Sequence, residues 1–135
     1  MDIGIAFEYY IKELYKTKKY LTHNTTFRTE DNIRIQIDLT YKTLFTTRFV
    51  ECKYKTKKIP LEDIAKFSAQ LDLLDIKTKY GEVITNSYYT RRAIIYAEKK
   101  QIRLYDMSDL ERLTNKTKNT INQEILTLYN SKLQM

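Results

Sequence analysis

The sequence has little of several residues that define specialised classes of protein. Its 135 residues include one cysteine, one histidine, one proline, two glycines and no tryptophan. The low glycine and proline content excludes collagen-like chains and disordered chains rich in these residues. Cys52 alone cannot form an internal disulfide, and with His23 as the single histidine it cannot complete a zinc site of the usual Cys/His ligand count. Any bound metal is therefore expected to have oxygen ligands.

Long apolar segments are also absent. No run approaches the roughly 18 apolar residues that a membrane-spanning helix needs, and the start of the chain lacks the basic-then-apolar layout of a signal peptide. We therefore expect a soluble, cytoplasmic protein with no membrane partner. By contrast, 12 tyrosines and 5 phenylalanines can anchor the core of a single domain.

The charge is strongly unbalanced. There are 24 Lys and Arg residues against 17 Asp and Glu residues, so the formal net charge is +7. Such a surplus on a small domain favours polyanionic partners such as nucleic acid. A lysine-rich solvated surface explains the same charge, so charge alone leaves both interpretations open.

The hydrophobic patterns of the first half predict a helix followed by strands. Apolar residues at helical spacing predict a helix over Ile3–Leu14, with Asp2 as its N-cap. Strict alternation over residues 33–41 predicts a strand, and a second strand over residues 47–55 would pair with it as an antiparallel hairpin. The apolar residues expected on one face of the first strand are Ile33, Ile35, Ile37, Leu39 and Tyr41.

The second half alternates helices and strands. Pro60 opens a helix expected to run to about Lys77, and a buried strand is expected over residues 82–85. A third helix after Thr90 carries the apolar residues Ala93, Ile94 and Ala97. A strand over residues 102–105 and a helical turn over residues 108–113 follow. The whole order predicts a mixed α/β fold.

The chain divides in this scheme into a domain of residues 1–113 and a helical tail of residues 114–135. The tail carries an apolar stripe that includes Ile121 and Ile125. This stripe either packs back on its own domain or forms a subunit interface.

Three charged side chains on the predicted hairpin form the main candidate site. Asp38 lies on the polar face of the first strand, while Glu51 and Lys53 lie two residues apart on the next, hence on one face. Two carboxylates that converge near strand centres call for a cation, which favours Mg²⁺ or a similar hard ion. With Lys53 as a fixed positive charge, the set suffices for metal-assisted phosphodiester hydrolysis. The alternative is a cross-strand salt bridge on a solvated sheet face.

Neighbouring residues favour the catalytic interpretation. Cys52 alternates away from Glu51 and Lys53, so its thiol is expected to be buried and inert. His23 has no partner at a useful spacing and is expected at the surface. Basic residues that can contact phosphate follow the site and begin the third helix; they are Lys55, Lys57, Lys58, Arg91 and Arg92. For the two arginines on the helix, solvated surface charge is the default interpretation.

Four segments resemble, in order, the motifs of Mrr-type restriction endonucleases. They are residues 4–8 (GIAFE), residues 37–39 (IDL), residues 50–53 (VECK) and residues 81–87 (GEVITNS), the last followed by Tyr89, Thr90 and Ala93. These enzymes belong to the PD-(D/E)xK nuclease superfamily, which also includes archaeal Holliday junction resolvases. The resemblance spans residues 4–113. It implies a restriction-endonuclease-like fold, in which helices flank a central mixed sheet.

The sequence departs from the family pattern at two positions. Ile37 stands where the motif has proline, and Glu51 stands where many Mrr-type members have glutamine. This chain is therefore similar to the Glu-x-Lys branch.

The resemblance also implies roles for individual residues. Asp38 and Glu51 would bind Mg²⁺, with Mn²⁺ able to substitute, and the main-chain carbonyl of Cys52 would complete the metal's shell. Lys53 would be the catalytic lysine. Glu8 would reach in from the first helix as an auxiliary catalytic carboxylate and metal ligand. Gln70 on the second helix is a further candidate for the edge of the site, or else a plain surface glutamine.

The expected function is therefore a Mg²⁺-dependent DNA endonuclease. The alternatives are a structure-selective nuclease of the Holliday-junction type and a non-catalytic DNA-binding or assembly module of the same fold. Because cutting both strands takes two sites, a homodimer is favoured. No separate DNA-recognition domain is visible, so specificity is expected for DNA shape, ends or junctions, or from a separate partner protein.

Overall fold

The computed structural model describes residues 2–133, with side chains from Asp2 to Ser131. Gln134 and Met135, the last two residues of the predicted tail, lie outside this range. The elements in chain order are α1 (Ile3–Leu14), β1 (Lys19–Arg28), β2 (Arg34–Lys42), β3 (Thr47–Lys53), α2 (Leu61–Leu73), a 3₁₀ turn (Thr78–Tyr80), β4 (Gly81–Thr85), α3 (Arg91–Lys100), β5 (Arg103–Tyr105), α4 (Met107–Thr114) and α5 (Lys118–Leu133).

The five strands form one mixed sheet in the order β1-β2-β3-β4-β5. The first three strands are antiparallel neighbours, and β4 and β5 run parallel to β3. Helices cover both faces, so the predicted α/β architecture and the predicted β2–β3 hairpin are confirmed. Strand β3 ends at Lys53, two residues before the predicted end, and its pairing with β4 ends at the same residue.

Two hydrophobic cores lie on opposite sides of the sheet. The first core packs α1, α4 and α5 on the sheet, and its buried residues include Phe7, Met107 and Ile121. The second core packs α2 and α3 on the other face, and includes Phe67 and Ala93. This two-sided burial accounts for the fully buried strand β4.

Strand β2 contributes to both cores, so the prediction that its apolar residues share one face is wrong. Ile35 and Ile37 belong to the second core, whereas Leu39 and Tyr41 belong to the first. Ile33 lies before the strand and is 46% exposed.

The change of side occurs at Asp38. Strand β1 pairs His23 with Leu39 and Thr25 with Ile37, so Asn24 stands opposite Asp38. Asn24 has a left-handed backbone, with φ of 55°. Such a residue interrupts the regular alternation of a strand, and asparagine adopts this conformation more easily than most residues.

Helix α2 is shorter than predicted. It starts directly after Pro60 but ends at Leu73 rather than near Lys77, because Asp75 adopts a left-handed φ of 56° that a helix cannot continue. The Asp2 side chain caps α1 as predicted, accepting from the Ile5 N–H at 2.9 Å. The predicted turn over residues 108–113 is the full helix α4.

The outer helices show two further outcomes. In α3, Ala93 and Ala97 are buried, whereas Ile94 is 48% exposed and does not belong to the packed face. In α5, Ile121 and Ile125 are buried in the first core, so the tail packs back on the domain that precedes it. Within residues 2–133, no helix is both long and apolar enough to cross a membrane.

Candidate active site

The candidate site begins where β2 and β3 separate. Their backbone pairing runs from Lys42 and Thr47 to Leu39 and Val50. Beyond that point the Asp38 side chain links the two strands, because its Oδ2 accepts a hydrogen bond from the Cys52 N–H at 2.8 Å. This charge-assisted bond fixes the Asp38 carboxylate against the segment that carries Glu51 and Lys53.

The Asp38 carboxylate is mostly buried. Burial raises its pKa above the ordinary value, while the hydrogen bond from Cys52 and the positive charge of Lys53 act in the opposite direction. The structure therefore brings Asp38 and Lys53 together electrostatically, as the hairpin pattern predicts. No ion pair links Lys53 to either carboxylate among the described residues, so the cross-strand salt bridge is not formed.

Glu51 occupies the neighbouring position on β3, next to Val83 of β4. Burial is the largest cause of the raised pKa of the Glu51 carboxyl, which is about 7; the charges of Asp38 and Asp63 act in the same direction, and those of Lys53 and Lys66 act against it. Ionised Glu51 is thus held in an environment that disfavours its negative charge. A bound cation would relieve this cost.

Helix α2 supplies residues that the sequence analysis missed. Asp63 and Lys66 both act on Glu51 through their charges. Gln70 follows Asp63 by seven residues, so it lies on the same side of α2, where it is half-buried. The signal that could have identified Asp63 and Lys66 is their i, i+3, i+7 spacing with Gln70 on a helix that packs on β4, the neighbour of β3.

Glu8 approaches Asp38 from α1, on the opposite side from α2. Burial, followed by the charges of Asp38 and Asp2, raises the pKa of Glu8 to about 7. The side chain is 17% exposed. Asp38 therefore acts on Glu8 through its charge, while the role of Glu8 as auxiliary carboxylate and metal ligand, which the family resemblance implies, stays a prediction.

The prediction that His23 lies at the surface is wrong. Its side chain is 12% exposed, and its Nε2 lies 3.4 Å from Glu8 Oε1. The Tyr9 ring packs edge-on against the imidazole, with 5.1 Å between centroids. Strand β1 alternates between exposed and half-buried residues, and this alternation places His23 on the inward side.

Cys52 serves the site through its backbone. Its side chain packs against the first core, on the other side of β3 from Glu51. Burial raises the pKa of the thiol well above the ordinary value, and the charges of Asp38, Glu8 and Glu51 raise it further. The alternation along β3 therefore places the thiol on the packed side of the strand, where Cys52 is half-buried; its lack of reactivity stays a prediction.

The basic residues after the site lie in a loop that is fastened to the end of β4. The Ser87 hydroxyl donates to the Lys57 carbonyl at 2.8 Å, and the Ile59 N–H donates to the Tyr88 carbonyl at 2.7 Å. Side chains of Lys55, Lys57 and Lys58 are exposed on this loop.

Helix α3 begins next to this loop. The Thr90 N–H donates to the Ile59 carbonyl at 3.0 Å, and the Thr90 hydroxyl caps the helix by accepting from the Ala93 N–H at 3.1 Å. Arg91 and Arg92 are exposed in the first turn. The lysine loop and the start of α3 are therefore adjacent, and we refer to their exposed basic residues together as the basic surface.

The donor set fits one kind of metal ion. Among residues 2–133, no three His, Cys, Asp or Glu side chains lie close enough to one another to form a metal cage. Mg²⁺ needs no such cage, because it keeps several waters and usually takes only one or two carboxylates from the protein. Two buried carboxylates with raised pKa values fit that requirement.

Solved structures with the same fold include proteins of several kinds. A protein of unknown function, AF1548, has a TM-score of 0.67 at 17% identity over 79% of this chain. Can2 from Sulfobacillus thermosulfidooxidans, solved with cyclic tetra-adenylate, has a TM-score of 0.63 at 24% identity over 82% of this chain. The DNA modification-dependent restriction endonuclease AspBHI has a TM-score of 0.53 at 17% identity over 93% of this chain. The chain spans 59%, 35% and 35% of these three proteins, respectively.

Sequence comparison identifies the family. No curated protein matches the chain. Residues 3–114, however, match the Mrr catalytic-domain family model, which is described as restriction endonuclease. This match covers most of the chain, including the two strands and the helix that carry Asp38, Glu51 and Glu8. The chain therefore belongs to the Mrr-type restriction endonuclease family, a family of metal-dependent nucleases with this mixed α/β fold.

Proposed function

We propose that this chain is a Mg²⁺-dependent DNA endonuclease that hydrolyses phosphodiester bonds at Asp38, Glu51 and Lys53. The observation that carries the proposal is the hydrogen bond from the Cys52 N–H to Asp38 at 2.8 Å. It ties the carboxylate of one strand to the segment that carries the other carboxylate and the lysine. Membership of a nuclease family supports the same reaction.

Asp38 and Glu51 would hold the ion, with the main-chain carbonyl of Cys52 completing the protein's share of the ligands. When bound, the ion supplies Lewis-acid polarisation of the phosphate and lowers the pKa of a water molecule; Mn²⁺ is expected to substitute for Mg²⁺. The Asp38 carboxylate is preorganised because the hydrogen bond from the Cys52 N–H restricts its movement. Preorganised charge avoids reorganisation during the reaction.

Lys53 would contact the phosphate directly. Its positive charge already acts on both Asp38 and Glu51. An ammonium group in that place can stabilise the extra negative charge that a phosphoryl oxygen gains as water attacks and the P–O bond to the leaving oxygen breaks. We therefore assign Lys53 the role of electrostatic stabilisation.

Two further side chains support the same centre in this proposal. Glu8 acts as an auxiliary carboxylate from the α1 side, where His23 holds its Oε1. Gln70 lies at the edge of the site on the α2 side, where its amide can donate to a phosphate oxygen. Residues from four separate elements, α1, β2, β3 and α2, would thereby surround the reacting phosphate.

The basic surface would position the DNA. Lys55, Lys57 and Lys58 on the loop, and Arg91 and Arg92 on α3, would contact phosphates on either side of the cut. Such contacts set the register of the backbone without reading its sequence. Specificity for DNA shape, ends or junctions, or for a sequence read by a separate partner protein, is consistent with this surface.

The direct test is incubation of supercoiled plasmid with Mg²⁺ and the wild-type chain, beside Asp38→Asn and Glu51→Gln. Both substitutions keep the side-chain volume and remove the negative charge. We expect nicking or linearisation by the wild type, its loss in both variants, and its retention in Lys99→Met, which removes an exposed lysine at the far end of α3.

Other outcomes select an alternative. Cleavage that persists in both carboxylate variants refutes the site. Cleavage of four-way junctions without cleavage of linear duplex identifies a structure-selective nuclease. DNA binding without cleavage, across several DNA forms and divalent ions, identifies a binding or assembly module. The predicted homodimer is tested separately, by sedimentation of the chain with and without DNA.

A further inference from the structure

The Asn86 side chain makes a pair of hydrogen bonds to the backbone of Lys55 at the edge of the sheet. The Lys55 N–H donates to Asn86 Oδ1 at 2.8 Å, and Asn86 Nδ2 donates to the Lys55 carbonyl at 2.9 Å. Strands β3 and β4 pair in parallel up to Lys53 and Thr85, so Asn86 is the first residue beyond that pairing. A side-chain amide carries the same donor and acceptor as a peptide group. Asn86 therefore continues the pairing of the two strands for one more step past the end of the sheet.

The ammonium group of Lys55 also has a partner in the structure. Its Nζ lies 3.9 Å from Asp63 Oδ2, and the Asp63 charge acts in turn on Glu51. The lysine side chain therefore extends toward α2, on the side of the sheet where Glu51 lies. Lys55 is thus held through its backbone by Asn86, and its half-exposed ammonium group is oriented toward Asp63 by a long-range ion pair.

This arrangement distinguishes Lys55 from the other lysines of the loop. All three lysines are exposed, but among the described residues Lys57 is bound through its carbonyl by the Ser87 hydroxyl, and neither Lys57 nor Lys58 has an ion pair such as that of Lys55. A side chain that is already placed loses less conformational freedom when it binds a ligand. Lys55 is therefore the lysine of this loop best prepared to meet a phosphate beside Glu51.

We propose that Asn86 is a positioning residue for DNA binding, which holds Lys55 as a preformed phosphate contact beside Asp38, Glu51 and Lys53. The inference rests on the proposed function, because it takes DNA as the ligand. It adds a residue outside the carboxylate–lysine set, and it assigns to Lys55 a specific part in binding rather than a general share of the positive charge.

The test measures the affinity of the full chain for a fluorescent duplex of 20 base pairs, by anisotropy without divalent ions, over a series of salt concentrations. Each lost phosphate contact lowers the slope of log affinity against log salt by about 1. We expect that decrease in Lys55→Met and in Asn86→Ala. We expect no further decrease in the double variant, since Asn86 acts through Lys55.

Two controls separate positioning from charge and from folding. Lys99→Met removes the same charge from the far end of α3 and is expected to keep the wild-type slope. Asn86→Ser leaves the net charge unchanged but is too short to make both hydrogen bonds to Lys55, so it tests the positioning role if Asn86→Ala does not fold. Its slope is expected to fall below that of the wild type.

The outcomes are distinct. An unchanged slope in folded Asn86→Ala, or an Asn86→Ala effect that remains in full in the Lys55→Met background, overturns the role of Asn86 and leaves the proposed function intact. The absence of DNA binding by the wild-type chain at every salt concentration overturns both. A decrease in Lys99→Met equal to that in Lys55→Met shows that only net charge matters.

Discussion

Replacement of Glu51 by glutamine tests the electrostatic reasoning without DNA. Burial, together with the Asp38 and Asp63 charges, raises the pKa of Glu51 from an ordinary 4.5 to about 7 in the folded chain. A difference of one pH unit between folded and unfolded pKa corresponds to about 1.4 kcal/mol. Ionised Glu51 therefore destabilises the metal-free fold by up to about 3 kcal/mol.

The raised pKa of Glu51 determines how the free energy of unfolding changes with pH. Below about pH 4.5 the carboxyl is protonated in both states and this cost is absent. Between about pH 4.5 and 7 the folded state holds a proton that the unfolded state has lost, so the free energy of unfolding falls as the pH rises. Above about pH 7 the loss is complete. Glu51→Gln is expected to remove this part of the pH dependence and to be more stable than the wild type at pH 8.

Urea unfolding followed by circular dichroism, in EDTA at pH 5 and pH 8, measures the effect. Glu30→Gln, at an exposed turn, is the matched control and should keep the wild-type pH dependence. Mg²⁺ should stabilise the wild type at pH 8 and have little effect on Glu51→Gln, because an ion that binds only the folded state shifts unfolding by mass action. Equal pH dependence in wild type and Glu51→Gln would refute the argument.

Three further predictions concern the packing around the site. Arg48→Leu should lower the free energy of unfolding by about 3 to 5 kcal/mol, because buried Glu82 loses the Arg48 Nε–H donor at 2.9 Å. Urea unfolding of the double variant Arg48→Leu/Glu82→Leu should recover most of that loss. Ile121→Ala should cost about 2 to 5 kcal/mol in the same assay, since the side chain is fully buried, and a cost near zero would show that α5 does not stabilise the domain. Cys52 should resist a thiol reagent in the native state at pH 8 and react in urea, because burial raises the thiol pKa; rapid native reaction would contradict this.

Much of the site could be predicted because β-strand geometry is periodic. Alternation along one strand places Glu51 and Lys53 on one side and Cys52 on the other, whatever the rest of the fold does. A hairpin with a short turn then makes Asp38 a neighbour of Glu51. These inferences need only local backbone geometry, and the structure places the residues accordingly.

The missed residues depend on contacts between distant segments. His23 meets Glu8 because β1 lies beside β2 under helix α1, and no spacing in the sequence encodes that contact. Asp63 and Lys66 act on Glu51 because α2 packs on β4, the neighbour of β3. The alternation of β2 also failed as a guide at Asp38, where the left-handed Asn24 on a different strand stands opposite and the apolar side of the strand pair changes.

The sequence by itself determined two things about this domain. Its periodic hydrophobic patterns predicted an α/β fold, and its scarcity of cysteine and histidine excluded a Cys/His metal site. They also determined which residues could form an acidic site next to a basic loop, because those properties are carried by single residues and local spacing. Only the tertiary structure decided which side chains surround that site, how far α2 extends, and that the tail packs on its own domain. Those features arise from burial and from contacts between segments distant in the chain, whose energies depend on the folded arrangement as a whole.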